Sequence, residues 1–234
     1  MAMDFSTLEK RIDVTFENKD VLKQALTHRG FLNDNRGWKL GHNERLEFLG
    51  DSVLELVVTA YLFNRYEDAP EGKLTEYRSA LVNIQVLSTL AKELGLNDFI
   101  LLSNGEAKDA TGRARQIILG DAFEALIGAI YFDRGLGTAH RFVTKYILSR
   151  AEEFIAKDRL GNSKGALQMI AQEKLKMTPT YAVLEQKGPD HDRQFVVGVY
   201  FGSELIATGQ DGSKKLAEVQ AAKAALDVKG WTVI

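Results

Sequence analysis

The chain has 234 residues and a formal net charge of −2, with 45% hydrophobic residues, 26% charged residues and no cysteine. This balance is typical of a folded protein with one large or two ordinary domains and excludes a disordered chain. The lack of cysteine excludes disulfides, thiolate nucleophiles and cysteine-ligated zinc. Residues 1–11 lack the apolar core of a signal peptide, and no apolar stretch is long enough to span a bilayer. We therefore expect a cytoplasmic protein with no membrane partner.

The first two thirds of the chain have the apolar periodicity of helices. The periodic segments are 21–27, 43–64, 75–94, 117–132 and 138–156. The breaks between them, at 68–72, 103–105 and 135–137, all contain glycine. This pattern predicts an all-α domain over residues 1–156.

The pattern changes after residue 156. Residues 157–163 are polar and include a glycine, which is typical of a linker. A helical stretch at 165–176 then precedes three β-rich segments, at 180–186, 194–201 and 204–208, and a last helix at 213–228. The sequence therefore predicts a small α+β domain over residues 164–232, with the order α-β-β-β-α.

Residues 42–54 carry the most informative pattern of the chain. Glu44, Glu47 and Asp51 follow one another at i, i+3 and i+7, which places three carboxylates on one side of a helix whose other side is apolar. Carboxylates on one face repel each other unless a cation lies between them. Oxygen ligands suit Mg²⁺ or Mn²⁺, so the pattern points to a hard divalent cation.

A second acidic pair, Asp121 and Glu124, lies at i, i+3 in an otherwise apolar segment. Two acids there cost free energy unless they meet a metal or lie at the exposed N-terminal end of their helix. For this pair taken alone, a solvated helix face is the favoured interpretation, since an acidic i, i+3 pair usually marks one. Nothing in the periodicity shows that the two acidic segments meet, so spacing alone leaves both interpretations open.

Residues 43–52 (NERLEFLGDS) resemble the signature segment of the ribonuclease III family. Further matches lie at 25–28, 71–75, 78–82, 105–106, 112–113 and 119–133, so the resemblance covers nearly all of residues 5–155. It implies a helical nuclease fold, a homodimer, and Mg²⁺-dependent cleavage of double-stranded RNA in which Mn²⁺ can substitute. It also implies 5′-phosphate and 3′-hydroxyl ends, with ribosomal RNA precursors and other structured RNAs as substrates.

The resemblance assigns the acids residue by residue. The metal-binding carboxylates would be Glu47, Asp51, Asp121 and Glu124. The catalytic acids would be Asp51 and Glu124 together with Glu44. No protein nucleophile is required by this chemistry, which agrees with the absence of cysteine.

Other positions of the nuclease segment receive roles from the same resemblance. Phe48 would anchor the dimer by entering a socket on the partner subunit. Asn43 would support the acids by hydrogen bonding, and Glu71 is a further candidate for contact with RNA in the cleft. The chain departs from the family pattern at Gly30, where serine is common, and at Gly120, where alanine is common.

The C-terminal module resembles a double-stranded RNA-binding domain. Gln168 and Gln172 on its first helix would reach 2′-hydroxyls, and His191 in the loop between the first two strands would reach the next minor groove. Lys214 and Lys215 would meet phosphates at the start of the last helix. Residues 162–234 hold 9 basic and 8 acidic residues, a net charge of only +1, so RNA affinity must come from local placement and should depend on salt.

Three functions can be weighed from the sequence. A non-catalytic RNA-binding protein would have lost one of the four metal ligands, and all four are present. A metal phosphohydrolase acting on small molecules would leave the RNA-binding module without a purpose. The favoured hypothesis is a metal-dependent, double-strand-specific endoribonuclease. The four histidines show no catalytic spacing and are interpreted as surface or structural residues.

Overall fold

The computed structural model describes residues 5–108, 112–188 and 193–231, with the backbone alone at 159–162. The chain divides into two compact units, Met1–Phe154 and Ile155–Ile234. No helix among the described residues is apolar over a length that would cross a membrane.

The first unit is built from helices. They are α1 (Ser6–Ile12), α2 (Lys19–Ala25), α3 (Arg29–Asp34), α4 (Glu44–Arg65), α5 (Glu71–Leu81), α6 (Ile84–Glu93), α7 (Asn104–Lys108) and α8 (Gly112–Tyr146). Short 3₁₀ turns lie at Leu96–Asp98 and Leu148–Arg150, and α9 (Ala151–Leu175) begins in this unit. Gly135, with φ of 77°, kinks α8 within the break predicted at 135–137, since this backbone conformation suits glycine.

The helix predicted over 75–94 is two helices in the structure. α5 ends at Leu81 and α6 begins at Ile84. Between them, Asn83 has an extended backbone, and its side chain accepts hydrogen bonds of 3.1 and 3.0 Å from the N–H groups two and three residues later. This N-cap starts a new helix despite the continuous apolar periodicity.

Two other predicted boundaries also differ from the structure. α7 begins at Asn104, inside the predicted break, where Ser103 Oγ accepts a hydrogen bond of 3.3 Å from the Glu106 N–H. The helix predicted over 138–156 is interrupted by the 3₁₀ turn at Leu148–Arg150. Local hydrogen bonds to turn residues decide such boundaries, and apolar spacing does not report them.

Two glycines let the backbones of α4 and α8 touch. A Cβ atom on Gly50 would lie 1.8 Å from the backbone oxygen of Glu124, and one on Gly128 would lie 2.0 Å from the backbone oxygen of Leu46. No residue with a side chain fits so close an approach. On both sides of this contact the helices bury a shared core, formed by Leu54, Val58, Leu62, Phe123, Leu126, Ile127 and Ile130. The contact lies within about one turn of Glu47 on α4 and of Glu124 on α8, so it brings the acidic segments side by side.

The second unit contains the rest of α9, three strands and α10 (Lys214–Val228). β1 (Thr180–Lys187), β2 (Gln194–Phe201) and β3 (Glu204–Asp211) form an antiparallel sheet in the order β1-β2-β3. α10 packs closely on the sheet, because a Cβ atom on Gly209 would lie 2.2 Å from the backbone nitrogen of Ala221. The core lies between the helices and the sheet, with Leu167, Ala171, Val199, Ala221, Ala222 and Ala225 fully buried.

The predicted fold class, an all-α domain followed by an α-β-β-β-α domain, is confirmed by this order of elements. The segment predicted as a linker, 157–163, lies inside α9, so its backbone is helical. The domain boundaries at 156 and 164 stay a prediction.

Candidate metal centre and RNA-binding unit

Three carboxylates of the first unit converge where α4 crosses α8. One oxygen from each of Glu47, Asp121 and Glu124 lies within 4.8 Å of the others. All three side chains are half-buried. The backbone contact at Gly50 and Gly128 accounts for this meeting of two segments that are distant in sequence.

The carboxylate group carries more charge than its surroundings favour. Burial, together with repulsion from Asp51, Asp121 and Glu47, raises the pKa of Glu124 to about 8. Burial is also the largest cause that raises the pKa of Glu47 and of Asp121. In the metal-free protein at neutral pH, Glu124 therefore carries a proton most of the time.

A hard divalent cation fits this group of side chains. The donors are carboxylate oxygens alone, which are the ligands that Mg²⁺ and Mn²⁺ take in proteins. A bound cation would replace carboxylate repulsion by attraction and would displace the proton from Glu124. Glu47, Asp121 and Glu124 are the residues that would hold it.

Asp51 lies at the margin of this group. It is exposed, and it is not among the carboxylates within 4.8 Å of one another. Its charge is nevertheless the largest contribution of any side chain to the raised pKa of Glu124, so the two carboxylates are near neighbours. The structure thus brings together three of the four predicted metal ligands and leaves Asp51 beside them.

Glu44 also lies beside the group rather than within it. Its two carboxylate oxygens lie 3.5 Å from Arg29 Nη1 and 3.7 Å from His42 Nδ1. Its charge contributes to the raised pKa values of Glu47 and Asp121. Glu44 is therefore an exposed acid beside the carboxylate group, already contacted by two basic side chains.

Phe48 and Glu71 lie outside the carboxylate group. The Phe48 side chain is 78% exposed on α4. Glu71 is exposed in the first turn of α5, where its carboxylate accepts a hydrogen bond of 3.2 Å from Thr75 Oγ1. Glu71 also lines a pocket of about 180 Å³ together with Phe63 and Arg78.

Asn43 supports the start of α4 through its backbone. The residue is 2% exposed, and its carbonyl accepts hydrogen bonds of 2.8 Å from the Leu46 N–H and 2.9 Å from the Glu47 N–H. Its side chain makes no capping hydrogen bond to the helix. Support of the acids by the Asn43 side chain stays a prediction.

Sequence reasoning missed a half-buried contact between His28 and Glu106. His28 Nδ1 lies 3.0 Å from Glu106 Oε1, and the His28 side chain is only 17% exposed. Burial raises the pKa of Asp121, and a protonated His28 would oppose that effect. No spacing signal links residues 28 and 106, so only the folded structure could reveal this pair.

The second unit places most of its predicted RNA contacts on the surface. Gln168 and Gln172 are exposed on α9, and Lys214 and Lys215 are exposed at the start of α10. Ser213 caps that helix by accepting a hydrogen bond of 3.2 Å from a backbone N–H, which fixes the helix end beside the two lysines. His191 lies outside the described residues.

Comparison with known proteins assigns both units. The family model described as "Ribonuclease-III-like" matches residues 18–151, and the "Double-stranded RNA binding motif" matches residues 163–229. The chain belongs to the ribonuclease III family. The resemblance noted in the sequence is thereby confirmed, and this family's combination of a nuclease domain and a double-stranded RNA-binding domain is that of a double-strand-specific endoribonuclease.

Individual relatives agree with the family assignment. The chain is 42% identical to Ribonuclease 3 of Enterococcus faecalis, over 94% of both chains. It is 41% identical to Ribonuclease 3 of Bdellovibrio bacteriovorus, over 95% of both. A solved nuclease domain of ribonuclease III from Campylobacter jejuni, described with a region involved in dimer formation, is 40% identical, with a TM-score of 0.54, and the match covers 61% of this chain and 98% of that one.

Proposed function

We propose that this ribonuclease III family member hydrolyses double-stranded RNA with Mg²⁺, for which Mn²⁺ can substitute, and leaves 5′-phosphate and 3′-hydroxyl ends. The observation that carries the proposal is the convergence of Glu47, Asp121 and Glu124, with one oxygen of each within 4.8 Å of the others. Burial and mutual repulsion raise the pKa values of these three carboxylates, so their charged forms are unfavourable without a cation. A hard divalent cation, which prefers oxygen ligands, would offset that repulsion.

The chain's own residues define where the chemistry takes place. α4 contributes Glu47, while α8 contributes Asp121 and Glu124, and the glycine contact between the helices leaves their separation little freedom. When bound, the cation supplies Lewis acidity, which activates a water for attack on the phosphorus and offsets charge on the leaving 3′ oxygen. The half-buried setting strengthens each electrostatic interaction, because fewer waters screen it. Glu44 and Asp51 are proposed as catalytic acids at the exposed margin of the group.

RNA binding is proposed for exposed residues of the second unit. Gln168 and Gln172 would donate to or accept from 2′-hydroxyls, which distinguish RNA from DNA. Lys214 and Lys215 would contact phosphates at the N-terminal end of α10, where the helix dipole also favours an anion. His191 is kept as a proposed minor-groove contact, and Glu71 as a proposed contact in the cleft.

A homodimer is proposed from the exposed apolar face of α4. Phe48, Leu56 and Phe63 are 78%, 57% and 68% exposed, and their spacing of eight and seven residues places them on one side of the helix. Large apolar side chains exposed along one side of a helix are typical of an interaction site. The pocket that Phe63 lines is the candidate socket for Phe48 of the partner subunit.

In the cell, the proposed substrates are ribosomal RNA precursors and other structured RNAs, including messenger RNAs, in the cytoplasm. A duplex with an A-form helix is the shared feature that such a binding unit recognises. Loss of the protein should therefore cause uncut ribosomal precursors to accumulate, which a northern blot would detect.

A cleavage assay tests the proposal. The full-length protein is incubated with an end-labelled RNA duplex, and with each strand alone, in Mg²⁺, in Mn²⁺ and in chelator. Cleavage of the duplex alone, only with metal, and with product ends that ligate as 5′-phosphates, is the expected result. Glu124→Gln should lower the cleavage rate by more than about 100-fold, because loss of a mere supporting partner already costs 10–100-fold.

Glu67→Gln is the matched control. Glu67 is an exposed acid just beyond α4, and its charge is not among those that raise the pKa of Glu124, so its replacement should leave cleavage within about twofold of wild type. Duplex cleavage that survives Glu124→Gln would contradict the proposed site. Binding of the duplex without cleavage by the wild-type protein would favour a non-catalytic RNA-binding function.

A further inference from the structure

We propose that Thr178 positions Gln172 so that Gln172 accepts a hydrogen bond from a 2′-hydroxyl group of double-stranded RNA. The inference rests on the proposed RNA-binding function and deepens it in two ways. It assigns the direction of one hydrogen bond to RNA, and it adds a residue that acts through Gln172. Thr178 is therefore a positioning residue.

A hydrogen bond holds the Gln172 side chain near the end of α9. Its Nε2 donates to Thr178 Oγ1 at 3.3 Å, and both residues are exposed. A glutamine amide offers one oxygen as acceptor and one nitrogen as donor. Because the nitrogen faces Thr178, the oxygen Oε1 is directed away from this contact and is available to accept from a ligand.

A left-handed turn after α9 fixes the backbone of Gln172. Lys176 has a φ of 56°, and its N–H donates to the Gln172 carbonyl at 3.2 Å. The next N–H, of Met177, donates to the Ala171 carbonyl at 3.4 Å. Helices commonly end in such a turn, which satisfies the carbonyls of the last helical turn. The turn folds the chain back, so that Thr178 reaches Gln172, which precedes it by six residues.

The residues that follow hold Thr178 in place. Pro179 is buried, and a residue before proline is restricted to an extended backbone. The next residue, Thr180, begins β1 and pairs with Tyr200 of β2. Thr178 is thus fixed between the helix end and the sheet, so its hydroxyl meets Gln172 with little further loss of backbone freedom.

Gln168 provides a comparison on the same helix. It is exposed one turn before Gln172 and on the same face. Within the described part of the chain, Gln172 has a side-chain hydrogen bond and Gln168 has none. A side chain that is already held loses less conformational freedom when it binds a ligand. Thr178 therefore pre-organises Gln172 and leaves Gln168 unaffected.

The orientation of the Gln172 amide selects one role for the RNA hydroxyl. A 2′-hydroxyl can donate or accept a hydrogen bond, whereas the amide oxygen can only accept. The hydroxyl would therefore donate its hydrogen to Oε1. A 2′-fluorine keeps an electronegative atom at this position and lacks that hydrogen, so a fluorinated duplex should lose the contact with Gln172.

The experiment compares binding of the full-length protein to two duplexes of about 16 base pairs, the span of one such binding domain. One duplex is RNA, and the other has 2′-fluorine in place of every 2′-hydroxyl. Chelator prevents cleavage, and fluorescence anisotropy gives each Kd. The discrimination ratio is the Kd of the fluorinated duplex divided by the Kd of the RNA duplex.

Two substitutions should lower the discrimination ratio. We expect a fall of about fivefold for Gln172→Ala, which removes one hydrogen bond to RNA. We expect a fall of about threefold for Thr178→Val, which keeps the side-chain shape but frees the glutamine. Thr178→Ser keeps the hydroxyl and should keep the wild-type ratio.

Double variants identify the glutamine through which Thr178 acts. In a Gln172→Ala background, Thr178→Val should lower the ratio no further, because the two residues act as one unit. In a Gln168→Ala background, it should again lower the ratio about threefold. Gln172→Glu tests the direction of the bond, because an ionised carboxylate can only accept. Its charge should weaken binding of both duplexes alike, and the ratio should stay within about twofold of wild type.

The outcomes separate this inference from the proposed function. Failure of the wild-type protein to bind the RNA duplex overturns the proposed function and the inference with it. Wild-type binding with an unchanged ratio in Gln172→Ala or Thr178→Val overturns the inference and leaves RNA binding standing. The inference is also overturned if Thr178→Val weakens binding of both duplexes equally, acts as strongly without Gln172, or is matched by Thr178→Ser. A ratio in Gln172→Glu as low as in Gln172→Ala overturns the assignment of Gln172 as an acceptor.

Discussion

Replacement of Gly128 by alanine tests the idea that the metal centre depends on backbone contact between two helices. Gly128 is not a ligand, and it lies about one turn beyond Glu124 on α8. The added methyl group would lie 2.0 Å from the Leu46 carbonyl oxygen and 2.9 Å from the Gly50 nitrogen of α4. Both neighbours are backbone atoms, so no side-chain rotation can relieve the clash.

The required displacement follows from these distances. Ordinary contact of a Cβ atom begins near 3.4 Å, so α4 and α8 must separate by about 1.4 Å at this point. Overpacking of a close contact costs about 1–3 kcal/mol of folding free energy. The displacement also separates Glu47 from Asp121 and Glu124, and misplacement of reacting groups by about 1 Å costs on the order of 100-fold in rate.

The assay compares Gly128→Ala with Gly137→Ala on the same helix. A Cβ atom on Gly137 would meet only Arg141 Nη1, at 3.9 Å, so this control adds the same methyl group without a clash. We expect Gly128→Ala to lower the melting temperature and to reduce Mn²⁺ affinity and duplex cleavage about 100-fold. Gly137→Ala should change none of these three quantities. Wild-type metal affinity in a folded Gly128→Ala protein would refute the argument that this backbone contact sets the centre.

Charge, dimerisation and RNA binding provide three further tests. In chelator the folded protein retains a proton on Glu124 up to pH about 8, whereas the unfolded chain releases it near 4.5, so the free energy of unfolding should fall as pH rises through this window. After allowance for partial solvent screening, Glu124→Gln should reduce that fall by on the order of 2 kcal/mol. Urea melts of both proteins at about pH 5.5 and 8.5 measure the fall. An equal fall in wild type and variant would contradict the prediction. Phe48→Ser should shift the protein from dimer to monomer in sedimentation velocity, and an unchanged dimer would place the interface elsewhere. Joint replacement of Lys214 and Lys215 by alanine should weaken duplex binding and reduce the slope of log affinity against log salt by about 2, while Lys223→Ala on the same helix should not.

The sequence predicted the carboxylates because their types and spacing carry chemical information. Periodic apolar segments carry Glu47, Asp121 and Glu124, and a charged side chain in such a segment costs free energy unless it has a partner or reaches solvent. Family motifs also surround the three acids. The meeting of the two segments was not predictable from periodicity. It depends on Gly50 and Gly128, where the backbones of the two helices touch. In a sequence, a glycine within a helical pattern indicates low helix propensity, and it does not by itself reveal that another helix approaches closely.

The linear pattern was least informative about the outer acids. Glu44 and Asp51 share a helix face, but seven residues correspond to about 10.5 Å along the axis, which is too far for both to bind one ion. Glu47 lies between them and meets acids from α8, while Glu44 contacts Arg29 and Asp51 remains exposed. Spacing thus identified the helix face, and only the position of the second helix shows that Glu47 is the acid on that face whose carboxylate meets those of α8.

The second unit was predictable for a different reason. Each of its strands has β-branched and aromatic residues, and turn residues separate them, so local preference and fold agree. The nuclease unit depends more on long-range contacts. The pair of His28 and Glu106 is the clearest case, because the two residues are far apart in sequence and no spacing pattern links them.

The net charge of −2 conceals an uneven distribution that the carboxylate group helps to explain. Residues 1–161 carry a net charge of −3. Part of this negative charge is energetically unfavourable in the folded protein, as the raised pKa values of Glu47, Asp121 and Glu124 indicate. Stability alone would favour a neutral residue at position 124. A bound cation would turn the same repulsion into coordination, so the energetic cost of the metal-free state would also be the origin of the proposed metal affinity. Metal binding would then remove charge that repels RNA from the cleft, so a second unit with a net charge of only +1 needs to supply little more than well-placed local contacts.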